Sequence, residues 1–212
     1  MDWIKRNWAY IVIPAVYIVG VIGFTIPAID DFWVSLTPIN LLFGLFMLIG
    51  FHKTFSNKFL YSLAIIGILG YFFEVIGVQT GLLFGTYTYH KHLGPKLLDT
   101  PLMLAVNWAL LIYLTNYFAR KIVSKNMLIA IVGSLLMVGI DFFIEPFAIY
   151  YQLWTWEVGH VPLQNYLMWF ILSLPFHLLF NYFNQQYSNK IALSLGISLF
   201  LFFLIIDVVL IW

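Results

Sequence analysis

About seven stretches of this sequence are so poor in charge and so long that water cannot be the solvent around them. They run over residues 8–28, 33–51, 58–78, 100–119, 126–146, 162–183 and 190–211. A hydrocarbon core of about 30 Å needs roughly 20 apolar residues in helix. The sequence therefore predicts an all-α integral membrane protein, with residues 1–212 as one polytopic domain of about seven transmembrane helices. Charged residues make up 9% of the chain, against about a quarter in a soluble domain, which leaves too little polar surface to cover a globule in water. The absence of cysteine excludes a disulfide framework and thiolate chemistry. No basic face for nucleic acid is present at a net charge of +1. The run from Trp8 to Ala28 is too long for a signal-peptide core, and no small-x-small cleavage site follows it, so it reads as a retained first span.

Lysine and arginine set the expected orientation. Lys5, Arg6, Lys53, Lys58, Arg120, Lys121, Lys125 and Lys190 fall at one end of the predicted spans, and only Lys91 and Lys96 at the other. The first end is expected to be cytoplasmic, with the N-terminus inside and the C-terminus outside. The acids are distributed the other way: Asp30, Asp31, Glu74, Asp99, Asp141, Glu145, Glu157 and Asp207 lie in or near the outer half, and only Asp2 lies inside. Asp30 and Asp31 read as a solvated loop, and Asp207 as an acid that snorkels or pairs. The segment from Gln79 to Asp99, rich in Gly and Tyr, could partly re-enter the membrane if protein covers its backbone.

Three acids stand inside apolar spans: Glu74 in GYFFEVIGVQTG, and Asp141 and Glu145 in GIDFFIEP. A charge at mid-bilayer costs about 2.5–3.5 kcal/mol on insertion scales, so such residues face the bundle interior and are functional candidates. Asp141 and Glu145 are four apart and share a helix face. Pro146 is expected to help end that helix. The alternative role for the three is a polar cluster tying helices together.

The outer loops hold Tyr87, Tyr89, His90 and His92, and then Tyr150, Tyr151, Trp154, Trp156 and His160. Tyr and Trp populate any membrane interface, but an aromatic pocket beside buried acids also suits a cationic intermediate, because ring faces attract positive charge. A weak internal repeat points to one shared site. Phe72-Phe73-Glu74, Tyr87-Thr88-Tyr89, Pro101-Leu102, Asn107 and Trp108 are echoed, at differing intervals, by Phe142-Phe143-Ile144-Glu145, Trp154-Thr155-Trp156, Pro162-Leu163, Asn165 and Trp169. A parallel duplication of spans three and four as spans five and six would put the two glutamates at similar depth.

Nucleotide-binding glycine loops are absent. The five histidines, at 52, 90, 92, 160 and 177, lack the clustering of a membrane di-iron site, although His90, His92 and His160 could meet at a metal. No Asp-rich diphosphate motif is present. Acid–base chemistry on an apolar substrate, without cofactor or metal, remains, or no chemistry at all.

The segment GYFFEVIGVQTGLLFGTYTYHKHLGPKL resembles the signature of CruF-type carotenoid biosynthesis proteins, and DFFIEPFA, WTW and PLQNYLMWF are similar to the second block of that family. The resemblance covers about residues 65–172. It implies a multi-pass protein of a prokaryotic cytoplasmic membrane acting as a carotenoid 1′,2′-hydratase. Such an enzyme adds water to the acyclic ψ end of a carotene such as γ-carotene or lycopene; related members act on C50 carotenoids. In that chemistry an acid protonates the less substituted alkene carbon and water captures the tertiary cation. The residues suggest Glu74 as the acid and Asp141 with Glu145 as holders of the water, or the reverse. Tyr87, Tyr89, Trp154, Trp156 and Asn165 would line the substrate site. Competing readings are an intramembrane carotenoid cyclase, which must exclude water, and a small transporter or carotenoid-binding scaffold. A transporter is disfavoured on sequence because the inner half has few polar residues.

Overall fold

The structure is a computed structural model that describes residues 2–26, 28–185 and 188–211. Met1, Pro27, Gln186, Tyr187 and Trp212 lie outside the described residues, as do the side chains of residues 2–6, 210 and 211, so Lys5 and Arg6 of the orientation argument have no described side-chain placement. Among the described residues there are eight α-helices: α1 (Asp2–Phe24), α2 (Asp30–Ser35), α3 (Thr37–Gly50), α4 (Asn57–Thr80), α5 (Met103–Ile122), α6 (Asn126–Tyr150), α7 (Leu163–Phe183) and α8 (Ala192–Ile206), the last running on as a π-turn to Ile211. Four short strands lie at one end: β1 (Tyr87–Tyr89), β2 (Lys96–Leu97), β3 (Thr100–Pro101) and β4 (Trp154–Trp156).

Among the described residues, five stretches are long and apolar enough to cross a membrane: Asn7–Phe24, Asn57–Thr80, Asn126–Tyr150, Leu163–Phe183 and Ala192–Val209. The outward faces of the helices are apolar, with Ile18, Ile39, Phe46, Ile68, Leu135 and Ile171 all exposed. This is a multi-pass membrane protein. The stretch expected as one span over 33–51 is two pieces. Pro38 stands in the first turn of α3, where its missing N–H is harmless, but it cannot continue a helix begun at Asp30. At 14 residues, α3 spans only about 21 Å. The α5 helix is long enough but carries Asn107, Thr115, Asn116, Arg120 and Lys121.

Two further expectations are corrected. Helix α6 does not end near Pro146 but runs on to Tyr150. A proline in a membrane helix frees one carbonyl and removes one N–H, a loss that neighbouring structure can absorb. The half expected to be inner is also not poor in polar groups. Ser62, Thr115, Asn116, His177, Asn181 and Asn184 are all buried there. Arg120 donates to Asn116 Oδ1 at 2.9 Å, to Asn181 Oδ1 at 2.6 Å, and to the Asn184 and Gln185 carbonyls at 2.9 Å each. This network ties the last turn of α5 to the last turn of α7. Asp207, expected to snorkel or pair, is buried, and its Oδ1 has no partner among the described residues.

Contacts gather the helix ends at two poles. At one, His52 pairs with Asn189, Lys53 N–H donates to the Ser188 carbonyl, and Tyr10 donates to the Lys190 carbonyl. At the other, Tyr151 packs on Phe24 of α1, with ring centroids 4.8 Å apart. Both expected outer loops lie at this second pole, where they pair. Strands β1 and β4 run antiparallel, with Tyr87 opposite Trp156, Thr88 opposite Thr155 and Tyr89 opposite Trp154. Alternation along a strand turns Tyr87 and Tyr89 inward and leaves Thr88 exposed.

Candidate active site

Under the β1–β4 ribbon the three intramembrane acids come together, all nearly fully buried. Glu74, on α4, is met by donors from two directions. Tyr87 and Tyr89 hydroxyls donate to Oε2 at 2.8 and 2.9 Å, and the Trp108 indole of α5 donates to Oε1 at 3.0 Å. Burial, with Glu74 alongside, holds the Tyr87 and Tyr89 hydroxyls well above the usual phenol range, so both remain donors.

Glu145, on α6, is held in a parallel way. The Trp154 and Trp156 indoles both donate to Oε2 at 3.0 Å. Asn165 of α7 places Nδ2 at 2.9 Å from Asp141 Oδ2 and 3.5 Å from Glu145 Oε1. One amide nitrogen thus reaches both carboxyls of the one-turn pair. Each glutamate therefore takes two hydrogen bonds from the strand that follows its own helix and one from the helix that returns. Trp108 and Trp169 stack between the two halves, with centroids 4.6 Å apart and planes 12° from parallel.

The halves differ one turn before the glutamate. The second half has Asp141 there, and the first has Gly70. A Cβ on Gly70 would lie 2.4 Å from Trp108 Cγ, so the glycine is what lets the indole reach Glu74. A second acid at this position would displace the ring that binds the first.

The acids open onto a cavity of about 330 Å³. It is lined by all eight residues singled out from the sequence: Glu74, Asp141, Glu145, Tyr87, Tyr89, Trp154, Trp156 and Asn165. Asn107, which the sequence echo would match to Asn165, also lines it. Most of the remaining wall is apolar, from α1, α3 and α8. Val16 of α1 and Ile39 of α3 border the cavity and are also exposed on the apolar surface, at 39% and 62%. Trp108 as a ligand of Glu74 was not legible from composition, although its place in the repeat marked it.

The histidines weighed as metal ligands diverge. His90 pairs with Thr155 at 3.2 Å, His92 lies 3.5 Å from Asp31, and His160 turns to the Val158 carbonyl at 3.1 Å. Asp31 also meets Lys91 at 3.5 Å on the exposed surface.

Comparison with known proteins gives the family. A family profile described as "Carotenoid biosynthesis protein" matches residues 36–212. The chain is 28% identical over 163 residues to a protein of Haloarcula japonica named bisanhydrobacterioruberin hydratase, an alignment covering 70% of this chain and 55% of that protein. The chain thus spans about half the length of that curated relative. No solved structure matches the chain significantly.

Proposed function

Because the chain belongs to the carotenoid biosynthesis protein family, we propose that it is a carotenoid 1′,2′-hydratase. It adds water to the acyclic ψ end of a carotene, without cofactor or metal, as a hydro-lyase. The observation that carries this reading is the convergence of three buried carboxyls, ringed by Tyr and Trp, on one largely apolar cavity. The name of the Haloarcula relative points to the same reaction class.

The hydrogen bonds favour the second of the two role assignments left open by the sequence. Three donors fill three of the four acceptor sites of Glu74, two of them tyrosine hydroxyls that can pass a proton to it and take it back. Asp141 receives a single hydrogen bond, on Oδ2, and its other oxygen is open to the cavity. The Asp141–Glu145 pair delivers the proton to the less substituted alkene carbon, and a tertiary cation forms at its neighbour. Ring faces of Tyr87, Trp154 and Trp156 shield that cation. Water adds to it and releases a proton toward Glu74 through the tyrosine hydroxyls. The proton returns to the Asp141–Glu145 pair across the shared cavity, which closes the cycle with one C–H and one C–O bond made.

The membrane placement belongs to the same proposal. Residues 1–212 form one polytopic domain in the cytoplasmic membrane of a prokaryote, with α2–α3 and α5 completing seven spans. Lys53, Lys58, Arg120, Lys121, Lys125 and Lys190 gather at one pole, which supports an inner location for it. The antiparallel β1–β4 pairing, with Thr88 facing Thr155, is the register a local twofold axis produces, and it supports a parallel duplication of α4–α5 and α6–α7. The substrate reaches the site from the lipid, and nucleic acid has no part.

Expression in a host that accumulates an acyclic carotene tests the reading. A product heavier by one water is expected. A cyclised isomer of unchanged mass would replace the reading with the cyclase, and unchanged pigment from well-inserted protein would remove it.

A further inference from the structure

Away from the acids, two buried polar atoms in the largely apolar cavity wall have no hydrogen-bond partner among the described residues. They are the Trp33 indole N–H of α2 and the Asn40 side-chain oxygen of α3. Both residues line the cavity, together with Val16, Phe24, Phe43 and Phe202. Buried polar atoms are hydrogen-bonded as a rule, so each orphan calls for an occupant. Asn40 shares this wall of the cavity with Tyr17 of α1. The indole is fixed by close packing: a Cβ on Gly23 would lie 2.0 Å from Trp33 Cε2, so the ring rests directly on the α1 backbone.

One free donor and one free acceptor, both neutral, define the ligand chemistry. A hydroxyl accepts from the indole and donates to the amide oxygen. A hydrocarbon satisfies neither, and neither orphan supplies a countercharge for an ion. We propose that Trp33 and Asn40 form a hydroxyl-binding subsite, filled either by an alcohol on the substrate's end group or by a water molecule held for addition. The inference rests on the hydratase reading and concerns what that site takes beside the reacting alkene. It makes the α1–α3 wall the part of the cavity that distinguishes an oxygenated end group from a bare one.

The test uses wild type, Trp33→Phe and Asn40→Leu, each purified from membranes containing an acyclic carotene and its derivative with a tertiary hydroxyl on the terminal isoprene unit. Two quantities are read: the ratio of hydroxylated to hydrocarbon pigment retained by the protein, and the rate of hydration. If an alcohol fills the subsite, wild type retains the hydroxylated pigment above its share in the membrane. Each variant then lowers that enrichment by about two- to tenfold, the worth of one hydrogen bond. If water fills it, the pigment ratio matches the membrane, and each variant slows hydration of the hydrocarbon by a similar factor with KM unchanged. A ratio equal to the membrane's together with wild-type rates in both variants overturns the subsite. Enrichment that depends on Trp33 and Asn40 in a protein that hydrates nothing would keep the subsite and sink the hydratase reading.

Discussion

Replacing Glu74 by glutamine separates hydrogen bonding from proton transfer, because the structure supplies partners for the amide. Its oxygen can accept from Trp108, and its NH2 can face the Tyr87 and Tyr89 oxygens, whose hydroxyls rotate to accept. The contacts survive as neutral ones. The loss is the difference between charge-assisted and neutral hydrogen bonds, about 1–2 kcal/mol in all. Glu74→Leu instead strands three buried donors at about 1–3 kcal/mol each, a sum comparable with the whole stability of a typical domain, about 5–15 kcal/mol. Glu74→Gln is therefore expected in the membrane at near wild-type amounts, and Glu74→Leu at much lower amounts. Hydration by Glu74→Gln should fall by about 10²–10⁴, the range for loss of one acid–base group. The Asp141–Glu145 pair would still protonate the alkene, and the uncaptured cation would lose a proton again. In heavy water, Glu74→Gln should wash deuterium into unreacted carotene at its end group, and Asp141→Asn should not. Pigment chromatography with mass analysis, normalised to protein amount, reads both effects. Near-normal product from Glu74→Gln would remove Glu74 from the chemistry. Exchange in Asp141→Asn but not in Glu74→Gln would invert the roles, and no exchange in either would leave the acids as one proton-sharing unit or a structural tie.

Cysteines placed at Lys125 and Lys190 in this cysteine-free chain should react with an impermeant reagent only from the cytoplasmic side, and those at Asp31 and Glu157 only from outside; outside labelling at Lys125 would overturn the orientation. Activity should survive exhaustive chelation and need no added nucleotide, whereas loss restored by one specific metal would bring back His90, His92 and His160 as ligands. Trp156→Phe keeps a ring face over the cavity but removes one of the two indole donors to Glu145. The initial rate should fall about tenfold, as loss of roughly one charge-assisted hydrogen bond implies, and an unchanged rate would show that this donor does not matter.

The acids of the site were legible because an ionisable residue in an apolar run is costly and needs a reason. Tyr87, Tyr89, Trp154 and Trp156 were legible because YTY and WTW recur after each glutamate, and those two triplets pair as antiparallel strands. Other features were hidden by the same apolar background. Trp33 reads as one more interfacial aromatic, and only its packing on Gly23 and its unpaired N–H set it apart. Hydropathy merged α2 with α3, although Pro38 carried the signal of the break. Pro146 carried the opposite lesson, since α6 runs through it. The buried polar network around Arg120 was scattered over Ser62, Asn116, His177, Asn181 and Asn184, residues that no local pattern in the sequence brings together.

In the proposed reaction, water enters a carotene end group by protonation and capture in this cavity. Turnover in water enriched in heavy oxygen tests it most directly, with the product's end group read by mass spectrometry. One solvent-derived oxygen is expected in each hydrated end group, formed by wild type and not by Glu74→Gln or Asp141→Asn. A product whose oxygen is unlabelled, or an isomer that gains no oxygen, would contradict it.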